Sequence, residues 1–254
     1  MSDWTVLLAG RPGTDPLAAA MAEGGLTVLA APDLVDLPAD HLTFSALDET
    51  PDGIVAVAPY APRTIYWLLA AGGVRGRRAD VPAERTKTLG KPIHPIAAAD
   101  LDDDAIVARV TAVAGEGAGE GVVRDFHEDL PARWFPVIDA DRCTHCFECV
   151  EFCLFGVFEV DARRRVHVAI GDNCKVGCPA CGRVCPAGAI LFPRYPAGGP
   201  IAGADDGRVE RLAADAARKA GGADLKAYIA KYGHPEPPEN DLGKALDDLE
   251  SFEP

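Results

Sequence analysis

The chain has 254 residues, a hydrophobic fraction of 48%, and 39 acidic against 25 basic side chains, for a net charge of −14. At roughly 150 residues per domain the length suits one large domain or two small ones, and the apolar content allows a sizeable core. So acidic a surface repels nucleic acid and anionic lipid; it serves plain solubility, or docking onto a basic patch of a partner.

The opening "MSDWTVLLAGRPG" carries an acid and no basic segment, and so does not read as an export signal. The longest apolar stretch, "IYWLLAAGGV", is shorter than the ~20 residues of a membrane span. The cytosol is the expected compartment, and no membrane span is expected. Residues 1–115 then alternate between strands and helices. "WTVLLAG" is a short buried strand closed by the turn "GRPGTDP", and "PLAAAMAEGG" is a helix ended by glycine. "LTVLAAP" and "GIVAVAP" are further strands. "PRTIYWLLAAGGV" is a helix that tolerates Pro62 in its first turn. "KPIHPIAAADL" contains a fourth strand, and "DDDAIVARVTAVAG" is a helix with acids at its positive end. Continuous apolar strands separated by helices predict a small parallel sheet covered by helices, a three-layer α/β domain of Rossmann-like or flavodoxin-like type.

The glycine-rich "GEGAGEG" opens a linker over 116–133. A cysteine-bearing region of α+β type follows over 134–195. A helical extension is expected over 196–254, where "DLGKALDDLESF" sets Leu242, Leu246, Leu249 and Phe252 at helical spacing, to pack on this chain or on a partner.

All eight cysteines fall in two blocks, Cys143-x2-Cys146-x2-Cys149-x3-Cys153 and Cys174-x3-Cys178-x2-Cys181-x3-Cys185-Pro186. Clustered thiols in a reducing compartment mean metal or redox chemistry rather than disulfides. A cubane iron–sulfur cluster needs one thiolate on each of four irons, at tetrahedral corners. A tight loop with two residues between cysteines wraps three corners. A fourth cysteine, three residues further on and past a short helical turn, is carried away toward a second cluster.

These blocks resemble the bacterial-type ferredoxins with two [4Fe–4S] clusters, a resemblance that covers residues 134–195. It implies one cluster on Cys143, Cys146, Cys149 and Cys185, and another on Cys174, Cys178, Cys181 and Cys153. It also implies low-potential, one-electron transfer to or from a partner redox enzyme or complex, with no catalytic residues of the chain's own. The flanks agree: "FPVID" and "RVHVAIGD" look like strands feeding the two loops, "VFEVDARRRVHVAI" like a hairpin, and "AGAILFPRY" like the closing segment. Ile138, Phe147, Phe152, Phe155, Val160, Ile170, Ile190 and Phe192 are the expected small core shielding the clusters. The sequence departs from the family twice. Three residues, Lys175, Val176 and Gly177, stand where two are usual, an excess that Gly177 can absorb as a bulge. Leu154 follows Cys153 in place of proline.

Two four-thiolate zinc sites are the competing use of eight cysteines, but zinc knuckles pair C-x2-C motifs rather than running three ligands with a fourth set back. His145 reads as an exposed loop residue, or as a hydrogen-bonding tuner of a cluster sulfur. His41, His94, His127, His167 and His234 form no readable set. "GRPG" is not a dinucleotide fingerprint, so Gly10 and Gly13 read as turn residues. Arg63, at the end of the third strand, reads as a satisfied surface arginine, with anion binding as the functional alternative. "ARRRV", 162–166, is a solvated hairpin tip or a docking spot for an acidic partner. The alternative function is an oxidoreductase subunit whose N-terminal domain binds a flavin or another small ligand.

Overall fold

A computed structural model describes residues 4–51, 53–117 and 120–205. The expected helices and leucine stripe beyond Asp205, and His234 with them, lie outside the described residues.

Six strands pair in parallel: β1 (Thr5–Ala9), β2 (Thr27–Ala31), β3 (Ile54–Ala58), β4 (Arg77–Arg78), β5 (Pro92–Ala97) and β6 (Val122–Asp125). Their order across the sheet is β4-β5-β3-β1-β2-β6. β1 and β3 are buried along their whole length, which is why they appear as unbroken apolar runs. Alternate residues serve opposite faces. Val6, Leu8, Val28, Val55 and Val57 pack with helices α1 (Pro16–Glu23) and α4 (Asp103–Ala114). Leu7, Leu29, Ile54 and Ala56 pack with α2 (Leu42–Glu49) and α3 (Pro62–Ala71). The result is an α/β domain with helices on both faces of the sheet.

The helix ends follow local chemistry. Asp15 caps α1 by accepting from the Leu17 amide at 2.9 Å, with Pro16 in the first turn and Gly24 at the end. Asp102 caps α4 through the Ala105 amide at 2.8 Å, and Asp103 and Asp104 add negative charge at its positive end. Several elements escape the sequence pattern, among them the two-residue β4, α2 and β6. In α2 the cap is His41, whose Nδ1 accepts from the Thr43 amide at 3.2 Å, an unusual choice. β6 lies inside the stretch read as a linker; as a largely exposed edge strand it carries no burial signal.

The cysteine region holds two short antiparallel pairs: β7 (Val137–Ile138) with β10 (Ile190–Leu191), and β8 (Phe158–Val160) with β9 (Val166–Val168). Its helices are single turns, α5 (Glu148–Phe152), α6 (Ala180–Val184) and α7 (Gly199–Ala202). The two-residue ribbon β7–β10 serves two cores. Val137 and Leu191, opposite each other, face the α2/α3 side of the sheet core. Ile138 and Ile190, the next pair, face a core built with the cysteines. Both regions belong to one packed unit. The expected cysteine-region core needs correction: Phe155, Val160 and Ile170 are 41%, 41% and 51% exposed. The hairpin is only three pairs long, so these residues fall at or past its ends. Val157, Phe158, Val166 and Ala189 fill the interior, beside Ile190 and Phe192.

α7 is tied to the sheet domain by Thr64, whose hydroxyl donates to the Ala202 carbonyl at 2.6 Å. Gly203 follows at φ 106°, where a Cβ would collide with the Thr64 hydroxyl. Gly203→Ala is therefore expected to cost about 1–3 kcal/mol, seen as a lowered thermal midpoint.

Candidate metal centre

Each cysteine block folds as a loop leading into one helical turn. In the first, His145 and Phe147 take left-handed backbone, φ 52° and 67°, before α5 begins. Such backbone in non-glycine residues is costly and gathers at functional loops. Cys149 lies in α5, and Cys153 closes it with an N–H to the Cys149 carbonyl at 3.1 Å. The second block repeats this, Cys185 closing α6 on the Cys181 carbonyl at 3.1 Å. In each block a turn of helix separates the last cysteine from the first three. Gly177, in the three-residue insertion, sits at φ 78° with open space around it, so the extra residue is taken up in a left-handed turn. Leu154 and Val176 are 78% and 79% exposed.

All eight thiols are free, and Cys174, Cys178, Cys181 and Cys185 are buried, whereas Cys146 reaches the surface. Their mutual electrostatics fall into two groups. Burial pushes the Cys149 thiol up to about 12, with Cys185, Cys143 and Cys146 as the next causes. Cys143 rises through burial, against the lowering effect of the His145 backbone amide, with Cys185 and Cys146 adding to the rise. Burial also pushes Cys174 up to about 12, followed by Cys178 and Cys153. Cys178 is raised by burial and, among thiols, by Cys153. Cys181 is raised well above its ordinary value by burial and then by Cys174, Cys178 and Cys153, with Cys149 a weaker neighbour. Cys185 thus neighbours the first block, and Cys153 the second. Cys143, Cys146, Cys149 and Cys185 also line one small cavity, walled by Ile138, Phe147, Val166 and Ile190. Among the described residues no three His, Cys, Asp or Glu side chains converge tightly enough to hold a single ion.

Thiols raised this far stay protonated near neutrality unless positive charge is brought to them. A metal cluster held by these thiols would supply that charge, since a coordinated thiol is deprotonated outright. An orphaned donor fits the same picture. The buried Trp134 indole N–H makes no full hydrogen bond, yet it favours the ionised form of Cys174. The indole stacks on Phe192, ring centroids 5.3 Å apart. The donor set therefore fits iron–sulfur ligation.

His145 differs from expectation. Its Nδ1 accepts from the Val166 amide at 3.2 Å and lies 3.5 Å from the Cys143 sulfur. A nitrogen already accepting cannot donate to a thiolate; what His145 gives Cys143 is its main-chain N–H. In the hairpin tip, Arg165 pairs with Asp161 at 3.0 Å and Arg164 lies 5.0 Å over the Phe147 ring. His41 meets Glu128 at 3.1 Å.

Arg63 is not at the surface: it is 0% exposed, and its Nε donates to Asp139 at 2.5 Å. Asp139 is the principal residue the sequence reading missed. Its backbone carbonyl accepts the Cys143 amide at 2.9 Å and its side chain the Arg142 amide at 3.0 Å. An aspartate four residues ahead of a ligand loop is itself a turn signal. A second bridge joins Arg194 to Asp36 at 2.7 Å and to Asp33 at 3.1 Å.

These features define an iron–sulfur protein. Residues 135–158 match the family model of the 4Fe-4S binding domain. An uncharacterized ferredoxin of Methanocaldococcus jannaschii is 39% identical over 61 residues, 24% of this chain and 41% of its own length. Pyruvate synthase subunit PorD of Methanothermobacter marburgensis is 36% identical over 59 residues, 23% of this chain and 65% of its own. Ferredoxin-3 of Nostoc sp. is 32% identical over 66 residues, 19% of this chain and 67% of its own. The chain thus spans less than two thirds of the first two relatives. No solved structure matches it. Through this region the chain belongs to the 4Fe–4S ferredoxin-type proteins. Among the described residues no helix is long and apolar enough to cross a membrane.

Proposed function

We propose that the chain carries electrons singly through two [4Fe–4S] clusters, one held by Cys143, Cys146, Cys149 and Cys185, the other by Cys174, Cys178, Cys181 and Cys153. The observation that carries this is the exchange of last cysteines: Cys185 has Cys143 and Cys149 as neighbours, and Cys153 has Cys174, Cys178 and Cys181. When bound, the clusters supply one-electron exchange between 2+ and 1+ core states. The protein's part is to provide thiolates, shield them with Ile138, Phe147, Ile190 and Phe192, and present docking surfaces. Residues 134–195 act as the ferredoxin-type region, fused to a Rossmann-like domain whose sheet extends through β6. The partner is a redox enzyme complex, in keeping with the pyruvate synthase subunit among the relatives, and the chain performs no catalysis of its own. The free thiols suit the cytosol.

The test is anaerobic purification with iron, acid-labile sulfide and zinc analysis, then electron paramagnetic resonance of the reduced protein. Two magnetically interacting reduced cubanes are expected. Pale protein with stoichiometric zinc and no labile sulfide would overturn the reading. In addition, Trp134→Phe keeps an aromatic stack and deletes the indole donor. It is expected to leave iron content unchanged and lower the potential of the Cys174 cluster by tens of millivolts, on the order of one hydrogen bond, in a spectroscopic redox titration.

A second reading is favoured by a crevice of about 450 Å³ at the carboxyl ends of β1, β2, β3 and β5. Parallel sheets bind small ligands there. Its rim holds Asp33, Asp36, Glu128 and Asp129 with Arg11, an acidic rim ill suited to phosphates. An organic cofactor released on denaturing gently purified protein would support this role; its absence after such treatment would count against it.

A further inference from the structure

We infer that Arg63, a residue of the sheet domain, is a positioning residue for the Cys143–Cys185 cluster site. The inference rests on the two-cluster reading above.

Arg63 is the second residue of α3, at the positive end of a helix, where a cation is locally disfavoured. It is also fully buried, and burial lowers its pKa against the opposing pull of Asp139. Neither fact suits an arginine placed only to stabilise its own helix. Its contacts show what it does instead. Nε donates to Asp139 at 2.5 Å, and Nη2 donates to the Gly188 carbonyl at 2.7 Å. These two acceptors belong to the two chain segments that must meet if one cluster is to use both blocks. Asp139 anchors the first: its carbonyl holds the Cys143 amide, and its own amide donates to the Ala189 carbonyl at 2.8 Å. Gly188 belongs to the second: its amide donates to the Cys185 carbonyl at 3.2 Å, and the next amide, of Ala189, donates to the Cys185 sulfur at 3.3 Å.

A planar guanidinium suits this task. It grips two acceptors in fixed directions, which a lysine ammonium cannot do with the same geometry. Cys143 and Cys185 lie 42 positions apart in sequence, and the two-pair ladder β7–β10, with the Asp139–Ala189 hydrogen bond beyond its end, also links their segments. Arg63 spans the end of that ladder from outside. Among the described residues, the hydrogen bonds of Arg63 go to Asp139 and Gly188, and none goes to the segments of Cys174, Cys178 or Cys181.

The test compares full-length wild type, Arg63→Met and Arg63→Lys, each purified anaerobically. For Arg63→Met, iron and sulfide should fall to about half of wild type, and the interaction signature between two reduced clusters should give way to the signal of one isolated cluster. Arg63→Lys, the milder change, should show the same selective loss to a smaller degree. Full iron with an unaltered interaction spectrum in both variants would overturn the inference. So would parallel loss of both clusters in Arg63→Lys, which would make Arg63 a general support of the fold. If wild type itself lacks the two-cluster spectrum, the underlying reading fails, separately from the role of Arg63.

Discussion

Cys185→Ser is expected to abolish the cluster of Cys143, Cys146 and Cys149 and to spare that of Cys178 and Cys181, although Cys185 is only four residues from Cys181. The reverse is expected of Cys153→Ser, which should behave like Cys174→Ser. The reason lies in the single helical turns. In the proposed arrangement, α5 and α6 each carry the last cysteine of a block toward the other block's cluster. Cys149 has Cys185 among its electrostatic neighbours, and Cys174 has Cys153. Iron should fall from about eight to about four per chain in each case. Paramagnetic resonance of the reduced variants would identify the survivor, since Cys185→Ser and Cys143→Ser should leave the same spectrum. Identical spectra from Cys185→Ser and Cys181→Ser would instead mean that each block binds its own metal.

The second large effect concerns Asp139. Replacing it with alanine leaves the Arg63 guanidinium buried beside an empty space, and removes the cap on the Arg142 amide. Breaking a buried ion pair from one side costs about 3–5 kcal/mol, because the remaining charge has lost its compensation. For a chain of this size that corresponds to a thermal midpoint lower by roughly 6–20 °C. Asp139→Asn retains an acceptor for Arg142 and should cost less. A midpoint within about 2 °C of wild type for Asp139→Ala would mean that water already screens the pair.

The parts of the fold legible in the sequence are those where burial shows as pattern. β1 and β3 are apolar at every position because both faces are covered, and α1 and α4 carry aspartate caps that mark their starts. β6 was illegible for the opposite reason: an exposed edge strand next to glycines looks like the linker it follows. α2 hid behind a histidine cap, though Phe44 and Leu47 at helical spacing could have revealed it. At the site, the thiols were plain because cysteine spacing is nearly independent of context. Their setting was not. Arg63 drew notice as a possible anion holder, but nothing local tells that its partner stands 76 residues on. Such a pairing exists only once sheet and ribbon have come together. Val160 and Ile170 fit the alternation of a strand, but alternation cannot say where a core stops.

The ribbon β7–β10 has a bearing on any attempt to use this module elsewhere. Val137 and Leu191 have their backs to the metal-bearing side and their faces in someone else's interior. Excised and grafted onto a new host, residues 134–195 would display that pair as a greasy seam in water, and the donor would be left with a matching bare spot. The segment is sequence-portable but not surface-complete, so a working transplant would have to bring its old wall along or repaint the seam with polar side chains.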